Sequence, residues 1–412
     1  MAYQRTMLAA AIACALAGTS SPALADTQEL EQLKRQLGTL LDRVEQLETK
    51  TRDAEARAAA AEARAGRAMP AAKPTAVHSG NEKIRVNVSG HVNRALLAVD
   101  DGEETELYHV DNDSSSTRLR VIGEGDVSPE LTVGTAIEVQ LESNSSFAVS
   151  QDDEAPGGDT LSLSDRRLEV YFDHDRLGKL WVGKGWTASE DSSEMDLSGT
   201  ALAGYSSTAD IAGGIKFRDE SGNLSSNTVG DSFINLDGLG RRDRLRYDTP
   251  TLGGVRLAVS AVEDSAWDAA LNYAADYNLG KLAAAVAYSD QESNDGQVNG
   301  SASFLHTSGV SVTLAAGERD SGEQDPNFVY GKLGYQNQWF SAGNTAMSVD
   351  YHVANHADQR SDKATSVGVQ MVQSVDDWAT ELYVGYRNYD LERANEPLDD
   401  ANALIAGARI KF

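Results

Sequence analysis

From Ile84 to the end of the chain, apolar residues recur at every second position in sixteen separate runs. Leu131, Val133, Thr135, Ile137, Val139 and Leu141 alternate with Glu130, Thr132, Gly134, Ala136, Glu138 and Gln140. Leu168, Val170 and Phe172 alternate with Arg167, Glu169 and Tyr171. Other runs open near Val86, Leu119, Gly178, Arg244, Val255, Asp268, Lys281, Val298, Val310, Phe328, Thr345, Thr365, Trp378 and Ala401. A period of two belongs to strands whose two faces meet different surroundings. An even number of such strands is what an antiparallel sheet needs to close into a barrel without edges.

The connections alternate as well. One set is short: 174–177, 249–254, 278–280, 307–309 and 375–377. The other is longer and acidic: 143–164, 290–296, 318–326 and 392–400. Short turns on one rim and long loops on the other is the arrangement of outer-membrane barrels. The 329 residues from 84 to 412 give about 20 per run, enough for a strand of ~9–11 residues and its connection. One face carries Leu, Val, Ala and aromatics, with Tyr273, Tyr277, Tyr288, Phe304 and Trp378 near run ends, where interface girdles sit. The other carries Arg, Glu, Gln, Ser, Thr and Gly, too many charges for a dry core. The apolar face must then meet lipid, and sixteen strands enclose water. The expected fold is all-β: a 16-stranded antiparallel transmembrane β-barrel, preceded by a short α-helical coiled coil.

Composition alone points elsewhere. The 412 residues carry 36 Lys and Arg against 63 Asp and Glu, a net charge of −27, with 41% hydrophobic residues. Those values suit a soluble acidic protein, but alternation cancels in any average. No apolar run after residue 25 reaches the ~20 residues of a membrane helix. The acidic excess argues against nucleic acid, whose phosphates need clustered Lys and Arg.

Residues 1–25 form a signal peptide: Arg5, an apolar stretch from Met7 to Ala17, and Ala23-Leu24-Ala25 as the cleavage site before Asp26. The only cysteine, Cys14, lies within that apolar stretch. Residues 26–69 follow as a coiled coil, with Leu30, Leu33, Leu37, Leu40, Val44 and Leu47 spaced 3, 4, 3, 4 and the seam weakening to Thr51, Ala54, Ala58 and Ala61. Leu at both seam positions leaves strand number open. Pro70 and Pro74 end the helix, and 70–83 is a linker into the barrel at 84–412. Residues 26–69 hold 9 acids and 8 bases, so the acidic excess belongs to the region after them.

Three stretches resemble the general porins of Gram-negative outer membranes: Ser89-Gly90-His91-Val92-Asn93-Arg94-Ala95-Leu96, Gly178-Lys179-Leu180-Trp181-Val182-Gly183-Lys184-Gly185, and Arg246-Tyr247-Asp248-Thr249-Pro250-Thr251-Leu252-Gly253-Gly254. The alternating last run ends on Phe412, which looks like the family's assembly signal; Ile410 stands where an aromatic is more usual. The resemblance implies a homotrimer in the outer membrane among lipid and lipopolysaccharide, with the coiled coil in the periplasm. It also implies that a long loop folds into the lumen. The segment from Trp186 to Asp231, which lacks alternation, takes that place and offers Glu190, Asp191, Glu194 and Asp196 as the constriction loop.

Inward parity gives Arg118, Arg120, Arg167, Arg244 and Arg246 as the facing wall, with Arg166 and Arg242 beside them. Guanidinium stays charged and rigid, so this cluster against the loop acids sets a transverse field across a narrow lumen. Arg94 has the outward parity of Val86 and Val88 unless Gly90 marks a bulge. No metal-ligand spacing, nucleophile elbow or phosphate loop is present, so neither enzyme activity nor a cofactor is expected. For the acidic outer loops two readings stand: divalent cations held among lipopolysaccharide phosphates, or a repelling soluble surface. The expected function is a water-filled channel for passive diffusion of small hydrophilic solutes and ions. The alternatives are a substrate-selective porin for sugars or organic anions, and a trimeric adhesin with the coiled coil as stalk. Peptidoglycan is a further candidate partner for the rod.

Overall fold

The computed structural model describes residues 81–156, 162–291, 296–322 and 324–412. The expected signal peptide, the heptad positions Leu30 to Leu47 and the expected linker up to residue 80 lie outside the described residues.

Nineteen strands follow in order: β1 Arg85–Asp100, β2 Thr105–Asp111, β3 Arg118–Ser128, β4 Leu131–Glu142, β5 Ser162–His174, β6 Gly178–Trp186, β7 Lys216–Arg218, β8 Leu224–Thr228, β9 Arg241–Asp248 and β10 Val255–Val262. Then come β11 Trp267–Tyr277, β12 Gly280–Asp290, β13 Gly296–His306, β14 Val310–Arg319, β15 Asn327–Phe340, β16 Gly343–Asn355, β17 Lys363–Val375, β18 Thr380–Glu392 and β19 Ala401–Lys411. Seventeen of them make one sheet, and β7 and β8 form a hairpin apart from it. The sheet closes where β1 runs antiparallel to β19, from His91 opposite Lys411 to Asp100 opposite Asn402.

Both β2 and β3 pair with β1, the first against Arg94–Asp100 and the second against Arg85–His91. They are two halves of one wall position, so the barrel has sixteen. The break at Asn112–Thr117 is bridged by backbone and side-chain groups of β1. Asn93 donates from its backbone to Thr117 Oγ1 and from Nδ2 to Ser115 O, both at 2.9 Å. His91 Nε2 lies 2.9 Å from Ser116 O. A wall in lipid must satisfy every backbone group internally, and this one does so even where the strand is interrupted.

Gly90 is not a bulge: register is continuous from Gly90 opposite Leu119 to His91 opposite Lys411. Two neighbours explain the glycine. Phe412 exchanges two 3.0 Å backbone hydrogen bonds with Gly90, and a Cβ at Gly90 would meet Arg118 O at 2.5 Å and the Phe412 ring at 2.8 Å. Arg94 therefore keeps its outward parity, 3.7 Å from Asp111 and donating to Ser143 O at 2.7 Å.

Outward positions such as Leu96, Leu168, Phe172, Leu257, Leu314, Val329 and Leu333 are exposed along the whole wall. An apolar band this extensive belongs in lipid. Tyr277, Trp339, Phe340 and Trp378 are exposed toward the short-turn rim, while Trp267 and Tyr288 pack at a tilt with ring centres 5.3 Å apart toward the other.

The inward face departs from the expectation of a polar lining all round. On β1, β2 and β14 to β19 it includes Leu97, Val110, Phe328, Tyr330, Tyr389, Leu391 and Ile405, all buried. The cause is the segment between β6 and β9, residues 187–240, which lies inside the barrel and packs Ile211, Ile215, Phe217, Val229 and Phe233 against them. Five fully buried side chains at ~1.5–3 kcal/mol each give on the order of 10 kcal/mol, so this inner loop is a second wall. Polar anchors fix its course: Met195 N and Leu197 N donate to Ser301 Oγ and Ser303 Oγ at 2.9 and 2.8 Å. Asp268 accepts from the backbone of Ala188 and Ser189. Tyr389 donates to Thr208 O at 2.7 Å.

Asp196 was expected to face the arginines. It instead accepts from Lys332 Nζ at 2.7 Å, and the same ammonium donates to Gly204 O at 2.7 Å. Both side chains are buried, so this pair latches the loop to β15. Removing one partner of a buried pair costs about 3–5 kcal/mol. The Lys332→Met channel should therefore insert normally but show higher and noisier unitary conductance in planar bilayers; a quiet, unchanged current would mean that the latch does not hold the loop.

Candidate functional site

With the inner loop held against one side, the free lumen lies along β3 to β6 and β9. Arg118 and Arg120 sit on β3 with inward parity, opposite Gln140 and Glu138. On β5 the ladder skips a residue between Arg167, opposite Glu138, and Asp165, opposite Val139. Arg166 is the extra residue of this bulge, which turns both Arg166 and Arg167 inward. Arg244 and Arg246 follow on β9, opposite Gly183 and Trp181.

These guanidiniums are paired by wall carboxylates, not by the loop. Glu138 Oε2 accepts from Arg120 Nε at 2.6 Å and Oε1 from Arg166 Nε at 2.9 Å, with Arg118 Nη1 3.6 Å away. Glu169 accepts from Arg167 at 2.6 Å and Arg244 at 2.5 Å. Asp248 accepts from Arg246 at 2.8 Å and from Trp181 Nε1 at 3.0 Å. Glu138 lies opposite Arg120 and Arg167 across the ladder, while Glu169 and Asp248 stand two residues beyond Arg167 and Arg246 on the same strands, and that shared parity is the signal that would have singled them out.

Arg242 does not join the cluster. Its Nε donates to Leu239 O, and it lines a separate cleft with Val262, Glu263 and Gln291. Arg241 takes the inward place, 4.9 Å over the Trp186 ring and 3.6 Å from Glu190. The reason is local: residues 241–243 pair with β6, but β10 joins β9 only from Arg244 onward. With one edge unheld, alternation is not enforced there.

Three of the four loop acids, Glu190, Asp191 and Glu194, do meet the arginine wall. They surround a cavity of about 290 Å³ with Arg118, Arg166, Arg241, Trp186, Tyr205 and three further acids, Asp113, Asp210 and Asp237. Asp237 accepts from the backbone of Asp191 and Ser193 at 2.8 and 2.7 Å. Tyr205 donates to Asp210 at 2.5 Å. Glu190, Asp191 and Asp237 bring carboxylate oxygens within 4.8 Å of one another, the one such trio among the described residues. That spacing suits a hard divalent cation, although Arg241 already supplies positive charge beside it. Burial pushes Glu190 and Asp210 up to about 7 and Asp191 to about 6. Glu194 and Asp237 rise too, first by burial, then Glu194 by the charge of Asp237 and Asp237 by the charge of Glu190.

A second cavity of about 250 Å³ lies on the other side of Trp186, toward the short turns. Arg120, Arg167, Arg244, Arg246 and Arg256 line it with Glu169, Asp248 and Trp181. Trp186 thus lines two cavities, one of mixed charge against the loop and one dominated by guanidinium.

A closed sixteen-position barrel with an apolar outer band, an inner loop and a charged passage defines a membrane channel. The chain matches the Gram-negative porin family over residues 9–394 and belongs to it. Among solved structures it is similar to the anion-selective porin from Comamonas acidovorans (TM-score 0.54, 15% identity, 80% of this chain and 100% of that one). The outer membrane channel DcaP of Acinetobacter baumannii is similar at TM-score 0.53 and 14% identity over 82% of this chain and all of its own. OmpT of Vibrio cholerae gives 0.52 and 14%, again over 82% and all of its own chain. No curated protein sequence matches. The protein is an outer-membrane diffusion channel.

The loop acids' raised pKa values carry a pH dependence. Below about pH 6 they are largely neutral while guanidinium stays charged, and they ionise as pH rises through 6 to 7. Acidification from pH 8 to 5 should therefore move the reversal potential in a KCl gradient toward that of chloride, and Glu190→Gln should shrink the shift. Because folding raises these values, loop packing is tightest below the ordinary carboxylate range and weakens as pH rises from there to about 7. A reversal potential independent of pH would contradict this assignment.

Proposed function

We propose that solutes cross along the arginine wall, between it and residues 187–240, and that this passage favours small hydrophilic anions over cations of similar size. The carrying observation is the concentration of inward guanidiniums on one side: Arg118, Arg120, Arg166, Arg167, Arg241, Arg244, Arg246 and Arg256 line the two chambers. The wall acids among them, Glu138, Glu169 and Asp248, are each engaged by arginine. The loop acids are partly protonated near neutrality, so the local field is positive although the whole chain carries −27. Fixed charge in a low-dielectric passage sets ion preference at close range, while loop charges at the mouth are screened within ~8–10 Å.

In the same reading the channel is a homotrimer, supported by the family and by the leucine seam of residues 26–69, with that segment a periplasmic rod that reaches toward peptidoglycan. Sixteen wall positions in one chain leave an adhesin without support. The reading rests on ion preference, which a bilayer measures directly. The wild-type channel in a KCl gradient should give a chloride-favouring reversal potential at pH 6, and Arg118→Gln with Arg166→Gln should move it toward potassium. A potassium-favouring wild type would overturn the proposal.

A further inference from the structure

The chamber below Trp186 holds one guanidinium that the barrel itself does not use. Glu169 has both oxygens taken, by Arg167 and Arg244. Asp248 has both taken, by Arg246 and Trp181. Arg244 in turn is spent, donating to Trp186 O and Gly183 O besides Glu169. Arg256, on β10 with the inward parity of the buried Ala258 and Ser260, has no partner among the described residues, and its Nε is shielded from solvent without an acceptor. Nη1 of Arg120, both Nη atoms of Arg167 and Nη2 of Arg246 also lack protein acceptors among the described residues.

A buried donor without an acceptor is costly, and guanidinium N–H groups are the donors best matched to a planar oxyanion. Five arginines line the chamber against Glu169 and Asp248, with Glu138 behind Arg120 as a third carboxylate, so the balance of charge is positive. Its remaining lining is aromatic: Trp181, and Trp186 between the two cavities. At ~30 Å³ per water, 250 Å³ equals about eight waters, room for one small organic ion and part of its hydration.

We propose that this chamber is a binding subsite for small organic monocarboxylates, with Arg256 as the residue that captures the carboxylate. The free Nη groups of Arg120, Arg167 and Arg246 complete the oxyanion contacts, and the indoles of Trp181 and Trp186 take the short apolar body. The subsite rests on the anion-favouring reading and adds a chemical class and a specificity-determining residue. Selectivity then arises in two steps, charge at the loop and chemistry below it.

The test is block of chloride current in planar bilayers with butyrate, acetate or inorganic phosphate added from the short-turn side. In the wild type, butyrate should block saturably and at lower concentration than acetate or phosphate. Arg256→Gln should raise the half-blocking concentration roughly tenfold or more, the loss of one charge-assisted contact, and Arg256→Lys should recover part of it. Heat-shifted gel mobility and a measurable unitary current verify that each variant has folded, and Arg120→Gln offers a second reduction in block if Arg256→Gln does not insert. Unchanged butyrate block in Arg256→Gln would overturn the subsite, as would phosphate block as strong as butyrate. Those failures leave the wild-type reversal potential untouched, whereas a potassium-favouring reversal potential removes the broader reading first.

Discussion

In a hydrocarbon layer no water is available to an unpaired amide, so the backbone of each strand must find its partners within the wall, and most features of this molecule follow from that. Closure falls to β1, which is long enough to pair with β19 on one side and with both β2 and β3 on the other. The terminal Phe412 locks its backbone onto Gly90, filling the space that a side chain there would have claimed. The interruption at Asn112–Thr117 is tolerated because it turns into the lumen, where Asn93 and His91 replace the lost ladder. It also delivers Asp113 to the upper chamber. The defect in the wall is thus part of the lining of the pore.

Closure leaves an interior too wide to fill with wall side chains, and the chain solves this asymmetrically. Residues 187–240 pack as a hydrophobic layer against β1, β2 and β14 to β19, sealed by the buried Lys332–Asp196 pair. The opposite wall is left to charge. Burying several arginines together would be prohibitive without counter-charge, and Glu138, Glu169 and Asp248 supply it at hydrogen-bonding distance. What the wall acids do not neutralise is available to solutes. The loop acids sit across from the arginines without pairing most of them, so their burial is relieved by protonation, and the passage acquires a charge that depends on pH.

Much of this was legible in the chain. Period-two alternation gave the count of wall positions, and parity placed Arg118, Arg120, Arg167, Arg244 and Arg246 inward. The gap in alternation after Trp186 located the inner loop. The rest depended on contacts that no local pattern carries. Arg166 turns inward through a bulge, and Arg241 replaces Arg242 because β9 begins with one free edge. Asp196 left the constriction because Lys332, 136 residues away, offered it a buried partner. The inward apolar residues of β15 to β19 look like ordinary alternation noise until a second hydrophobic surface is known to lie against them.

The central claim is that the conducting path runs along the arginine wall while the other half of the lumen is filled. The chain's only cysteine is Cys14 and residues 84–412 contain none, so single cysteines can be introduced into the barrel with no other thiol in its wall and probed with a charged thiol reagent during bilayer recording. At Arg120→Cys the reagent should cut the current in a discrete step. At Ala364→Cys, on an inward position of β17 that the inner loop covers, it should have no effect. Reaction and block at Ala364→Cys comparable to that at Arg120→Cys would mean that the lumen is open on both sides, contradicting the account.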